Sequence, residues 1–114
     1  MPHCIIEYSS PLQSTHTPTD FVKAVHLGAS NSGLFNAKDI KVRAIGYEHC
    51  QIGDKETGSF IHVMARILAG RSAEQKTKLS HEIYTQLQQL DLALDALTVE
   101  ICDIERASHQ PCPD

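Results

Sequence analysis

The sequence predicts an α+β domain: two consecutive βαβ units forming a four-stranded mixed sheet with two helices on one face. Four stretches alternate or run apolar in the way of strands, and two show three-to-four apolar spacing behind a helix cap. Their order along the chain is β-α-β-β-α-β. A helical crossover makes the strands it joins parallel, and two helices can cover only one face of such a sheet.

The first strand covers residues 3–8 and is stopped by Ser9, Ser10 and Pro11. Thr17 then supplies a cap, Pro18 the first helical position and Asp20 an acid in the first turn. Phe21, Val22, Val25 and Ala29 make the apolar stripe of this helix, and Asn31, Ser32 and Gly33 end it. The β-branched run 40–47 is the second strand, with Ile40, Val42 and Ala44 on one face and Lys41, Arg43, Ile45 and Tyr47 on the other. The polar stretch 53–58, bounded by two glycines, is a loop.

Residues 60–68 form the third strand, with apolar side chains on both faces. Ser72 and Gln75 have the spacing of a capping box. The helix behind it carries Leu79, Ile83, Leu87, Leu90 and Leu94 on one stripe and is expected to end near Leu92. Leu97, Val99 and Ile101 mark the fourth strand. Residues 1–106 are expected to be the domain, and 107–114, with two prolines and no periodicity, a loose tail.

Composition narrows the function classes. At 114 residues the chain is one domain, and 41% apolar content is enough for a core. No apolar run approaches the ~20 residues that cross a bilayer, and no basic-then-apolar export signal precedes the first strand, so a cytoplasmic location is expected. The formal charge of −4, with dispersed basic residues and no Trp, argues against nucleic-acid and membrane partners. Cys4, Cys50, Cys102 and Cys112 are expected to be reduced. The seven histidines lack His-x-x-x-His spacing and no Cys-x-x-Cys occurs, so no metal site is expected.

Few residues then remain to carry chemistry. Pro2 follows the initiator Met1, whose removal leaves a free secondary amine at the head of a strand. In an apolar site beside cations the charged form of such an amine is disfavoured, and it becomes a usable base. Arg71 sits between a strand and a capped helix, where a guanidinium can clamp a carboxylate or simply be solvated. Lys41 and Arg43 share a strand face with Ile45 and Tyr47, expected to be half-buried; Arg66 follows the same logic. No Gly-x-Ser-x-Gly elbow or phosphate-loop spacing occurs, and no spacing brings Glu7, Glu48 and Glu100 together. The apolar side chains on the uncovered face of the third strand ask for a partner, and another copy of the chain is the simplest.

The opening Met1-Pro2-His3, with Ile5-Ile6-Glu7-Tyr8-Ser9, resembles the start of 5-carboxymethyl-2-hydroxymuconate isomerases of the tautomerase superfamily. The stretch Gly70-Arg71-Ser72-Ala73-Glu74-Gln75-Lys76 is similar to the Gly-Arg-Ser-x-Glu-Gln-Lys turn of 4-oxalocrotonate tautomerases, and Phe60-Ile61-His62-Val63 to the isomerase's third strand. The resemblance implies a homotrimer with sheets packed around a central axis and active sites near subunit boundaries. It further implies cofactor-free proton shuttling by Pro2, with Arg71 binding a carboxylate of a small dicarboxylate substrate in aromatic-compound catabolism. The family's strand arginine falls on Lys41 or Arg43; at Lys41 a bidentate donor would have become a point charge. Two other classes share these features: a tautomerase-like binding or signalling protein without significant catalysis, and a ferredoxin-like regulatory or RNA-binding domain. The latter displays aromatic pairs on inner strands, where this sequence offers only Phe60.

Overall fold

A computed structural model describes residues 2–111. The chain is built from strands β1 (His3–Ser9), β2 (Lys41–Tyr47), β3 (Phe60–Leu68) and β4 (Ala96–Ile104) and helices α1 (Pro18–Asn31) and α2 (Ala73–Gln88). The strands lie in the order β2-β1-β3-β4. β1 is parallel to β2, β3 is parallel to β4, and β1 and β3 meet antiparallel at the centre. This is the expected α+β arrangement of two βαβ units.

The period of two along each strand decides which face is covered. Cys4, Ile6, Tyr8, Ile61, Val63, Ala65 and Ile67 point to the helices and are buried. Phe21, Val25, Leu79, Ile83 and Leu87 meet them from α1 and α2. Tyr8 packs edge-on against Phe21 at 5.3 Å, and Gln13 Nε2 donates to its hydroxyl at 2.6 Å, so the burial of Tyr8 leaves its polar end satisfied.

Both helix starts follow from the caps read in the sequence. The Thr17 N–H donates to Asp20 Oδ2 at 3.3 Å. At α2 the box is reciprocal: Gln75 N–H donates to Ser72 Oγ at 3.1 Å and Ser72 N–H to Gln75 Oε1 at 2.8 Å. The helices touch at Gly28, where an added Cβ would stand 2.6 Å from Ile83 Cα and 2.8 Å from the Glu82 carbonyl oxygen. Those are backbone atoms, so the helices would have to part. Gly28→Ala is therefore expected to cost about 1–3 kcal/mol despite alanine's better helix propensity, read as a lower midpoint in urea unfolding with an unchanged slope.

Several boundaries differ from expectation. α2 ends at Gln88, not near Leu92. Asp91 takes a positive φ of 55°, which breaks the helix, yet Leu90, Leu92 and Leu94 still pack against the core from the connection. β2 starts at Lys41, with Ile40 buried just ahead of it, and β4 continues to Ile104. A 3-10 turn, Arg106–Ser108, straddles the expected boundary between domain and tail, and His109 beyond it is half-buried. Met1, Cys112 and the last two tail residues lie outside the described residues.

One correction concerns the second face of the sheet. Lys41, Arg43, Ile45 and Tyr47 were expected to be half-buried, but all four are exposed, Ile45 at 53%. The helices occupy only the other face, so this one is open in the single chain. Tyr47 and Phe60 stack on it with ring centroids 6.3 Å apart. Among the described residues Cys4, Cys50 and Cys102 are free thiols, and no helix is long and apolar enough to cross a membrane.

Candidate active site

Strand direction brings the candidate residues to one rim of the sheet. The register sets Lys41 beside His3 and His3 beside Arg66, so the starts of β1 and β2 meet the ends of β3 and β4. Pro2 stands at that rim at the head of β1, fully buried, and its carbonyl accepts the Lys41 N–H at 3.1 Å.

Arg71 leaves the same rim from the turn between β3 and α2. Its Nη2 donates to the Leu34 carbonyl at 3.1 Å, and its guanidinium carbon lies 5.5 Å from the centre of the Phe35 ring. Leu34 and Phe35 belong to the connection from α1 to β2, while Arg71 follows β3. β1 lies between β2 and β3, so this contact joins the connections on the two sides of Pro2's strand.

The open face next to Pro2 is basic. Lys41, His3 and Arg66 form one cross-strand row, and Arg43 lies in the next beside Ile5. Arg43 Nη1 lies 3.3 Å from His3 Nδ1; a guanidinium can only donate, so Nδ1 is the acceptor and carries no proton. Lys41 Nζ donates to the Asp39 carbonyl at 3.3 Å. A local field of this kind attracts an anion even in a chain of net charge −4.

Burial first, then the charges of Arg43 and Lys41, hold His3 below the ordinary imidazole value of 6.5. The unfolded chain therefore binds more protons than the folded one just below that value, and folding stability falls as the pH drops through it. The melting temperature is expected to decline between about pH 7 and pH 5, with a smaller decline in His3→Asn. Parallel pH–melting curves for the two proteins would show that His3 plays no part.

The remaining titratable groups of the open face are spoken for elsewhere. Tyr47 donates its hydroxyl to Glu7. Glu100 accepts from the Cys102 thiol at 3.1 Å and lies 2.8 Å from His62 Nε2, contacts that hold its carboxyl below the usual range. His62 Nδ1 in turn lies 2.6 Å from Thr98 Oγ1. Glu7 and Glu100 thus close on different partners and do not form a general acid–base pair. Among the described residues no group of three metal-ligating side chains comes together.

Two residues of this rim carry no sequence signal. Arg106, in the turn after β4, donates Nε–H to the Ala69 carbonyl at 2.6 Å. His109 lies close enough to depress His3 electrostatically, and its own Nε2 is buried without a hydrogen-bond partner among the described residues. Grooves of about 520 and 470 Å³ run instead along the flanks. The first lies between α2 and β4 at His81, Tyr84 and Val99, the second between α1 and β2 at His26, Leu27 and Val42. Neither is lined by Pro2 or Arg71.

Comparison with known proteins identifies the family and the fold. The family model described as 5-carboxymethyl-2-hydroxymuconate isomerase matches residues 2–108. No curated protein matches by sequence. A 5-carboxymethyl-2-hydroxymuconate isomerase from Deinococcus radiodurans R1 is similar in structure, with a TM-score of 0.79 at 22% identity over 99% of this chain and 90% of that one. A 5-carboxymethyl-2-hydroxymuconate delta-isomerase gives a TM-score of 0.80 at 18% identity, covering 100% of this chain and 88% of its own. A fused 4-OT wild-type symmetric trimer gives 0.73 at 16% identity, over 90% of this chain and 87% of that chain.

Proposed function

The chain belongs to the 5-carboxymethyl-2-hydroxymuconate isomerase family and is an isomerase; from that premise we propose that it moves a proton within an unsaturated 2-hydroxy/2-oxo dicarboxylate, with Pro2 as base. What supports this reading is that Pro2 is buried at the head of β1, beside the start of β2 that carries Lys41 and Arg43, and that Arg71 follows the end of β3 at the same rim of the sheet. Burial and nearby cations both disfavour a protonated amine, and this is the environment in which a Pro2 nitrogen freed of Met1 would act as a base.

In the reaction the Pro2 nitrogen accepts a proton from the enol substrate, leaving a dienolate. Its conjugate acid then gives that proton to a carbon of the conjugated system, so the enol becomes the conjugated ketone. One proton leaves and one arrives, with no change of oxidation state and no cofactor. Arg71, through its fork of donors, holds a carboxylate, and Arg43 or Lys41 opposes the charge that grows on the dienolate oxygen.

The open sheet face belongs to the same proposal. Ile5, Ile45, Tyr47, Phe60, Met64 and Leu68 alternate with the polar side chains there. Three copies packing these faces around a common axis would cover them, and one protein that the fold resembles is a symmetric trimer. Sedimentation at micromolar concentration is expected to give three times the monomer mass.

The test of function is a spectrophotometric assay of processed protein with the dicarboxylate 2-hydroxymuconate and, in parallel, the enol of phenylpyruvate. The dicarboxylate is expected to turn over with the higher kcat/KM, since it offers the cationic rim a second carboxylate. Saturable binding of the dicarboxylate without turnover would contradict catalysis and leave a binding protein.

A further inference from the structure

We infer that Arg106 is a positioning residue for Arg71: it fixes the turn from which Arg71 reaches the substrate carboxylate. The inference rests on the role proposed above for Arg71. The turn at residues 69–71 joins the end of β3 to the cap of α2, and Gly70 within it has a φ of +126°, a conformation that side chains rarely adopt. Glycine takes it without strain but is equally free to leave it, so contacts from neighbouring segments decide the shape of this turn.

The end of β4 and the turn after it do so in two ways. The Ala69 N–H donates to the Ile104 carbonyl at 3.0 Å, and the Ala69 carbonyl accepts Arg106 Nε–H at 2.6 Å. Both hydrogen-bonding groups of Ala69 are thus taken by the strand end and the turn that follows it. The Arg106 side chain also lies over Gly70, with Nη2 3.6 Å from where a Cβ would stand. Arg71 departs on the other side, toward Leu34 and Phe35. Without Arg106 the Ala69 carbonyl loses its charged donor, the peptide before Gly70 can rotate, and the Arg71 guanidinium is no longer aimed.

A double-mutant cycle reads this directly. Arg106→Ala is expected to lower kcat/KM for the dicarboxylate by about 10- to 10²-fold, the scale of a misplacement of about 1 Å. The loss should appear mostly in KM, with the trimer mass and melting midpoint retained. In an Arg71→Ala background the same change is expected to cost less than about twofold, because the group it serves is gone. Arg106→Lys, which can still donate to the Ala69 carbonyl, should recover part of the activity.

An equal loss in both backgrounds would overturn the assignment, since Arg106 would then act independently of Arg71. No loss in the wild-type background would overturn it too. If Arg71→Ala alone changes nothing, the carboxylate role of Arg71 fails and this inference falls with it; an effect of Arg71→Ala with an additive cycle removes only Arg106. Should Arg106→Ala fail to fold, the cycle is run with Arg106→Met, which keeps bulk over Gly70 and lacks the donor.

Discussion

Replacing Pro2 by alanine is expected to lower the isomerisation rate by about 10²–10⁴-fold, the contribution of a positioned general base, with the fold left intact. The fold should tolerate the change because Pro2 contributes to the sheet through its carbonyl, which accepts the Lys41 N–H, and alanine supplies the same carbonyl. What alanine does not supply is the ring. A pyrrolidine fixes φ and holds its nitrogen in one direction at the strand head, whereas a primary amine on alanine rotates and samples other directions. Residual activity above background is therefore compatible with the mechanism, but an unchanged rate is not. The measurement is steady-state turnover of both proteins after intact mass confirms loss of Met1.

Arg71→Ala is expected to reduce kcat/KM for a dicarboxylate by about 10²–10³-fold, the usual cost of removing one donor that faces developing or fixed negative charge. Arg71 is exposed, and its contacts are the Leu34 carbonyl and the Phe35 ring, so the substitution opens no hole in the core. Arg71→Lys is the informative companion. It keeps the charge and loses the planar fork, so it should recover only part of the lost kcat/KM. Full recovery in the lysine variant would mean that the site needs a charge there and no bidentate clamp.

The order of elements was legible because period and punctuation agree. The Ser72–Gln75 box and the Thr17-Pro18 start each mark a helix that the structure contains. Apolar spacing misled only where it reports burial and not helicity: Leu90, Leu92 and Leu94 continue the stripe of α2 and pack on the core after the helix has ended. The exposed Lys41 and Arg43 misled in the opposite direction, since Ile45 and Tyr47 beside them signal a face that one chain does not cover.

Of the residues proposed for the site, Pro2 and Arg71 stand out in the sequence because each has a local signature, a strand-leading proline and a Gly-Arg turn before a cap. Arg106 and Leu34 have none. Their roles depend on the strand order β2-β1-β3-β4, which brings the end of β4 against one side of the 69–71 turn while Arg71 reaches the connection ahead of β2. No periodicity within a segment encodes which segments become neighbours.

The most direct test of Pro2 as the base leaves every side chain in place. Turnover of the dicarboxylate is measured for processed protein beginning at Pro2 and for the same chain with one uncleaved residue ahead of it. In the second protein the Pro2 nitrogen is a tertiary amide whose lone pair is delocalised into the carbonyl and does not accept a proton. The processed protein is expected to isomerise the substrate and the extended one to lose that activity while keeping its oligomeric mass. Equal rates in the two would contradict the assignment of Pro2 as base and place the proton transfer on another group.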